Sequence, residues 1–207
     1  MTAPVVIVDY GLGNLRSVAG AVTRLGFEAL ISSTPTDLSR ASRLILPGVG
    51  AFGDGMTNLA SRGLIAPLRK FVLEEERPIL GICLGAELMA RDSDEFGHHE
   101  GLGWIPASVR RIAPSDPALR VPHVGWNELR QTRTDGLFRD VPQGALCYFV
   151  HSYEIRCDDE SDVIATADYG APVTAAFRRG TICGTQFHPE KSQRHGLTLL
   201  GNFLRDA

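Results

Sequence analysis

Val5-Val6-Ile7-Val8 is a run of four branched apolar residues with no polar member. A strand with one wet face alternates apolar and polar residues; an unbroken apolar run needs cover on both faces. Similar runs return at 44–46 and 78–82, and the segments between them carry apolar residues at helical spacing. Residues 14–25 put Val18, Ala19, Val22 and Leu25 on one helical face, with Asn14 as candidate N-cap and Gly26 as stop. A strand is predicted at 28–31, a short helix at 35–39, and a helical stretch over 55–76 broken near Gly63 and Pro67. Strand 78–82 leads directly into helical residues 84–90. This order predicts an α/β fold of three layers, a mostly parallel central sheet with helices on both faces.

The second half changes character. Short strands are predicted at 109–112, 125–129, 145–150, 163–167, 173–178 and 181–186, and a closing helix at 196–205. The expectation is a β-rich second half attached to the same sheet, in a single domain spanning 1–207. A chain of this size can bury roughly 70% of its unfolded surface. A net charge of −3 with no basic tract argues against nucleic acid or an anionic membrane as partner. No apolar stretch approaches the roughly 20 residues that span a bilayer, and the first residues lack the basic region of a signal peptide. The four cysteines, Cys83, Cys147, Cys157 and Cys183, form no CxxC pair. That pattern argues against a zinc site or disulfide framework and for a reducing, cytoplasmic setting.

Chemistry concentrates in three segments. Gly81-Ile82-Cys83-Leu84-Gly85 lies at a predicted strand-to-helix junction. A sharp turn there forces the nucleophile into a strained conformation, and flanking glycines relieve the crowding. The thiol would sit over a helix N-terminus, which lowers its pKa, and the Leu84 N–H would point to a forming oxyanion. His188-Pro189-Glu190 offers an imidazole and a carboxylate across a stiff turn: a base for the Cys83 proton and an acid that orients it. Pro47-Gly48-Val49-Gly50 offers backbone N–H groups in a loop with little side-chain bulk. Nucleophile, base, orienter and anion site are the parts of acyl transfer through a thioester.

The remaining candidates are weaker. His98 and His99 lie in a polar loop and read as solvated; His195 lies at a helix start; His123 and His151 read as site-lining or structural. Asp9-Tyr10-Gly11-Leu12-Gly13-Asn14 superficially suggests a dinucleotide loop, but bulky Arg16 occupies the third glycine position and no acid closes the second strand. No Walker loop is present, and no cofactor or metal is expected. Only Lys70 and Lys191 among the 21 basic residues are lysine, which draws attention to Lys191 beside His-Pro-Glu.

Gly81-Ile-Cys83-Leu-Gly85 with Gln186-Phe-His188-Pro-Glu190-Lys191 resembles the class I (triad) glutamine amidotransferases. Five segments narrow the resemblance: Asp9-Tyr-Gly-Leu-Gly-Asn-Leu-Arg-Ser-Val18, Leu46-Pro-Gly-Val-Gly-Ala-Phe52, Glu100-Gly-Leu-Gly103, Pro122-His-Val-Gly-Trp-Asn127 and Tyr148-Phe-Val-His-Ser-Tyr153. With His188-Pro-Glu-Lys-Ser192 they are similar to the glutaminase subunits of imidazole glycerol phosphate synthases.

The resemblance implies a Cys83, His188, Glu190 triad that releases ammonia from glutamine. It implies an oxyanion hole from Leu84, Val49 and Gly50, and substrate contacts from Gly48, Gly50, Glu87, His151, Ser152 and Tyr153. It also implies a heterodimer with a (β/α)8 cyclase, reached at Asn14, Trp126 and Lys191, that takes the ammonia through a tunnel. One residue departs from the pattern: the family usually has Gln where this chain has Glu87, a charge that would favour the substrate ammonium, repel its carboxylate and raise the Cys83 pKa against the helix dipole. Two other enzymes share parts of the pattern. One is a paralogous amidotransferase feeding a surface-sugar pathway, the other a stand-alone γ-glutamyl hydrolase. A non-enzymatic binding subunit, with Glu87 as the mark of lost activity, is a third reading.

Overall fold

A computed structural model describes residues 3–206, the side chain of Asp206 excepted. The first half contains β1 (Val5–Val8), α1 (Leu15–Arg24), β2 (Ala29–Ser32), α2 (Pro35–Arg40), β3 (Arg43–Gly48), α3 (Phe52–Ser61), α4 (Ile65–Arg69), β4 (Ile79–Cys83) and α5 (Leu84–Glu87). The second half contains β5 (Asp92–Ser93), β6 (His99–Glu100), β7 (Ala107–Arg111), β8 (His123–Glu128), β9 (Arg130–Gln131) and β10 (Leu146–His151). It continues with β11 (Tyr153–Cys157), β12 (Val163–Asp168), β13 (Pro172–Arg179), β14 (Ile182–Thr185) and α6 (Gln193–Asp206).

The central sheet runs β2-β1-β3-β4-β14-β13-β12-β9. Strands β2, β1, β3, β4 and β14 are parallel, and β13, β12 and β9 extend the sheet antiparallel. Alternation divides each buried strand between two cores. Val5, Ile7 and Ile45 face one core with Val18 and Val22 of α1 and Leu199 and Phe203 of α6. Val6, Val8, Leu44 and Leu46 face the other with Leu38, Leu59 and Leu68 of α2, α3 and α4. Each fully buried Val, Leu or Ile contributes about 1.5–3 kcal/mol, so a run apolar on both faces is the expected solution for such a strand.

The second half corrects the expectation in part. Strands β9, β12, β13 and β14 join the central sheet, but β8 and β10 form a separate antiparallel pair. A third sheet, β11-β7-β5-β6, includes three strands that sequence patterning did not mark. Two of these are two residues long and polar, and β6 takes in His99, which is half-buried against Phe52 rather than solvated. Helix α5 is one turn, not the predicted 84–90. The carbonyls of Leu88, Met89 and Ala90 are taken by the N–H groups of Leu102, Trp104, Ile105 and Gly103, so the helix cannot continue. Pro67 lies within α4, not at a break; as third residue its missing N–H has no helical partner to lose. Asn14 precedes α1 without capping it through its side chain, whose Oδ1 accepts from Ser17 Oγ at 2.9 Å. No helix among the described residues is long and apolar enough to cross a membrane.

Candidate active site

The nucleophile elbow forms as the spacing predicts. Cys83 ends β4 at φ 53°, ψ −118°, a backbone conformation costly for a residue with a Cβ. The turn closes so tightly that a Cβ on Gly85 would run into the Leu46 carbonyl, and one on Gly81 would lie 2.6 Å from Ala86 Cα. Strand register then sets Gly48 of β3 beside Cys83 of β4. The chain leaves β3 through exposed Val49 and through Gly50 at φ +112°. The glycine-rich loop is thus delivered next to the thiol by two adjacent parallel strands.

The candidate base comes from the segment after β14, the strand on the other side of β4. His188 and Glu190 are almost fully enclosed, their side chains 2% and 1% exposed, and His188 Nδ1 lies 2.9 Å from Glu190 Oε1. A carboxylate can only accept, so Nδ1 carries the proton and Nε2 presents a lone pair. That Nε2 is buried and has no hydrogen-bond partner among the described residues. The Cys83 thiol lies 4.0 Å from the Val150 carbonyl, which accepts its weak hydrogen bond.

Electrostatics oppose the expected thiol activation. Burial, and then the Glu87 carboxylate, push the Cys83 thiol well above its ordinary value; Glu190 adds to this. The Leu84 N–H and the Lys191 ammonium act against them. A one-turn helix has too little dipole to reverse the balance. The thiol is therefore protonated at rest, and to act as a nucleophile it would need a base to take its proton.

A cavity of about 360 Å³ opens over the thiol, lined by Val49, Gly50, Leu84, Glu87, Glu95, Pro122, Val150, His151, Ser152 and Tyr153 as well as Cys83. This volume suits an amino-acid substrate. Gly48, expected at the substrate, is buried beneath the loop with Tyr10 Oη packed against it, and does not line the cavity. Glu95 was missed by the sequence reading. It lies in a polar loop with no motif, and only the fold shows that its Oε2 accepts from the Phe52 N–H at 2.6 Å, at the start of α3. That bond fastens the far end of the 48–51 loop, where Ala51 offers no side-chain cap.

His151 and His123 form a second buried array. His151 Nδ1 lies 2.7 Å from the Tyr153 carbonyl and must be its donor. Its Nε2 therefore accepts from His123 Nδ1 at 2.8 Å, and His123 Nε2 faces the Asn127 amide at 3.2 Å. Burial lowers both imidazoles to about 4, so both are neutral at pH 7. His151 lines the cavity and His123 stands behind it, stacked between Phe149 and Tyr169.

These histidines lie on the inner face of the β8–β10 pair. In its register, Tyr148 opposes Trp126 and Val150 opposes Val124, and their side chains share the outer face, while the Val150 carbonyl meets the Cys83 thiol. Val124, Trp126, Leu146 and Val150 are exposed, at 54%, 46%, 47% and 36%. Lys191 Nζ sits 5.7 Å from the Tyr148 ring centroid, placing Trp126 and Lys191 around one aromatic residue. Asn14 lies at the start of α1, which packs on the Pro189–Lys191 turn. The Tyr148 backbone joins this face to the base: its carbonyl accepts from the His188 N–H at 3.0 Å, and its N–H donates to Ser192 Oγ at 3.0 Å. Ser192 Oγ in turn donates to the His188 carbonyl at 2.6 Å.

Comparison with known proteins agrees with this geometry. The family described as glutamine amidotransferase class-I matches residues 6–207. A protein of Nitrobacter winogradskyi named imidazole glycerol phosphate synthase subunit HisH 2 is 45% identical over 208 residues, covering 98% of each chain. One of Syntrophotalea carbinolica, named imidazole glycerol phosphate synthase subunit HisH, is 47% identical over 204 residues, 96% of this chain and 98% of that one. Among solved structures, one titled as a glutamine amidotransferase superposes with a TM-score of 0.75 at 24% identity, covering 96% of each chain. A glutamine amidotransferase of Thermotoga maritima superposes with a TM-score of 0.68 at 17% identity, over 99% of this chain and 97% of that one. The elbow, the enclosed imidazole–carboxylate pair and the full-length sequence match lead to one conclusion: this chain belongs to the class-I glutamine amidotransferase family.

Proposed function

We propose that this chain is the glutaminase half of an imidazole glycerol phosphate synthase of histidine biosynthesis, working in the cytoplasm as one unit over residues 1–207. The observation that carries the chemistry is the buried Nε2 of His188, without a hydrogen-bond partner among the described residues and fixed in its tautomer by Glu190, in a fold whose cavity ends on Cys83. An imidazole held in one tautomer with its lone pair free is a proton acceptor in waiting. The names of the relatives favour the histidine pathway, and neither the surface-sugar paralogue nor the stand-alone γ-glutamyl hydrolase is favoured.

Glutamine enters with its γ-carboxamide over Cys83. Sγ attacks the carbonyl carbon as the thiol proton moves to His188 Nε2, and the oxygen takes the negative charge. The Leu84 N–H and the Val49–Gly50 loop stabilise that oxyanion. When the C–N bond breaks, His188 returns the proton to the leaving nitrogen and ammonia departs, leaving a thioester on Cys83. Water then attacks the thioester with His188 as base; the C–S bond breaks, glutamate leaves and the thiol recovers its proton. His151, Ser152 and Tyr153 form the wall opposite the elbow and hold the amino-acid end of the substrate together with Glu87 and Glu95.

The ammonia passes to a cyclase with a (β/α)8 barrel, docked on the apolar outer face of β8–β10 at Trp126 and Lys191 and reaching Asn14. An exposed aromatic and aliphatic patch with a lysine at its edge has the composition of an interface core. Docking sets the wall that carries Val150, so efficient turnover belongs to the complex. The experiment is reconstitution with the cyclase and its nucleotide substrate, following glutamate release. Strong stimulation by the partner is expected, and Cys83→Ala should lower turnover by more than about 10³-fold without loss of the complex. Turnover retained in Cys83→Ala would refute the assignment.

A further inference from the structure

Glu87 is 5% exposed, lines the thiol cavity, and stands where the hydrocarbon wall of a one-turn helix meets the substrate space. Its Oε1 accepts from Gln186 Nε2 at 2.7 Å. The other end of that amide, Gln186 Oε1, is buried with no partner among the described residues. An amide donating to a carboxylate leaves its oxygen stranded, whereas a protonated Glu87 could donate to that oxygen after an amide flip. The Glu87–Gln186 pair therefore has two hydrogen-bonded arrangements, one for each protonation state of Glu87.

The groups around Glu87 supply no cation to hold it ionised. From β4 it faces the Cys83 thiol, from the end of β1 the Tyr10 phenol, from the segment after β14 the Gln186 amide, and from the loop before β6 the Glu95 carboxylate. Asp54 of α3 is exposed. His188 and Glu190 form their own closed pair, and Lys191 is exposed near Tyr148. Burial raises the Glu87 carboxyl to about 7; Gln186 opposes this and Glu95 adds to it.

Charge balance in the cavity then matters. Glu87 and Glu95 both line it. An α-amino acid brings one ammonium and one carboxylate, so one carboxylate of the pair suffices for the ammonium and the second repels the substrate carboxylate. A neutral Glu87 offers one O–H donor and one carbonyl acceptor, the same inventory as a side-chain amide; an ionised Glu87 offers acceptors only.

We propose that Glu87 is a protonation switch in the glutamine site: neutral, it binds the substrate as an amide would, and ionised, it expels the substrate carboxylate and holds the Cys83 thiol protonated. This rests on the glutaminase reading above and adds the pH range in which such a site works.

The test compares the wild type with Glu87→Gln, near-isosteric and unable to ionise. In the reconstituted complex, KM for glutamine is measured from pH 6 to 8.5. The ratio of wild-type KM to variant KM should be level below neutrality and climb by about tenfold per pH unit above it, as one proton linked to binding requires. The kcat values should diverge less than KM. A ratio flat across the range overturns the proposal. A second readout needs no turnover: alkylation of Cys83 by iodoacetamide in the free chain, read by mass spectrometry of the Cys83 peptide against pH. Its midpoint should fall in Glu87→Gln, and an unchanged midpoint overturns the proposal. If neither complex releases glutamate at any pH, the functional reading fails, and the alkylation profile alone decides the role of Glu87.

Discussion

The two walls of the thiol cavity are built on opposite principles. One is the elbow between β4 and α5, packed so closely that neither Gly81 nor Gly85 has room for a Cβ, and braced by parallel strands on both sides. The other is the β8–β10 pair, which has no third strand and leaves four apolar residues in solvent. A two-stranded ribbon is marginal by itself and takes stability from what it packs against. The Cys83 thiol is thus placed by the core of the molecule, while Val150 and His151 are placed by an element whose outer face is bare. Under the proposed assembly, chemistry and regulation would be separated by position, with the reacting atom on the rigid wall and the partner on the other.

Substitutions can break this contrast from either side. Gly85→Ala should have the largest effect on folding, because the added Cβ must displace the Leu46 carbonyl of a buried strand. We expect a loss of about 3 kcal/mol in urea unfolding, within the range for overpacking a core; a loss under 0.5 kcal/mol would show that the elbow yields. Trp126→Ala should do the reverse. Its side chain is about half exposed, so stability of the free chain should change little. Removing an aromatic anchor from an interface costs about 2 kcal/mol, which predicts partner affinity weakened by roughly 30-fold. Equal effects of both substitutions on stability and on partner affinity would erase the distinction.

The smallest effect tests the inner face of the ribbon. His123 and His151 are neutral because burial lowers them to about 4, whereas an unfolded imidazole takes a proton near 6.5. Between those values the unfolded chain holds more protons, so stability falls as pH is lowered from 6.5. Glu87 works in the opposite sense, since a carboxyl raised to about 7 keeps its proton in the native state where the unfolded chain has lost it. The measurement therefore belongs in Glu87→Gln, where about 1 kcal/mol per histidine should be lost between pH 6.5 and 5.5. A level profile there would mean that the histidine array accepts a proton without leaving its place.

The parallel half of the fold was legible because its strands are buried on both faces, and such burial leaves continuous apolar runs at 5–8, 44–46 and 78–82. The triad segments were legible because sharp turns demand glycine and proline at fixed offsets from Cys83 and His188. The third sheet was not, since β5 and β6 are polar dipeptides, too short to show alternation and so without a local pattern. Glu95 was invisible for the same reason: its contact with Phe52 spans 43 residues and leaves no local pattern. The opposing charge of Glu87 on the thiol was legible from its place in the first helical turn, whereas burial of the thiol and the shortness of α5, one turn in space though longer in pattern, were not.

The Tyr148 backbone has a consequence for nitrogen economy. Its carbonyl holds the His188 N–H, its N–H holds Ser192, and its ring lies on the outer face of the ribbon. A single residue thus spans the distance between an open surface and the candidate base. Under the proposed assembly, a partner that covers the ring would act on the peptide that seats the imidazole, and consumption of amide nitrogen would be tied to docking with no separate inhibitor.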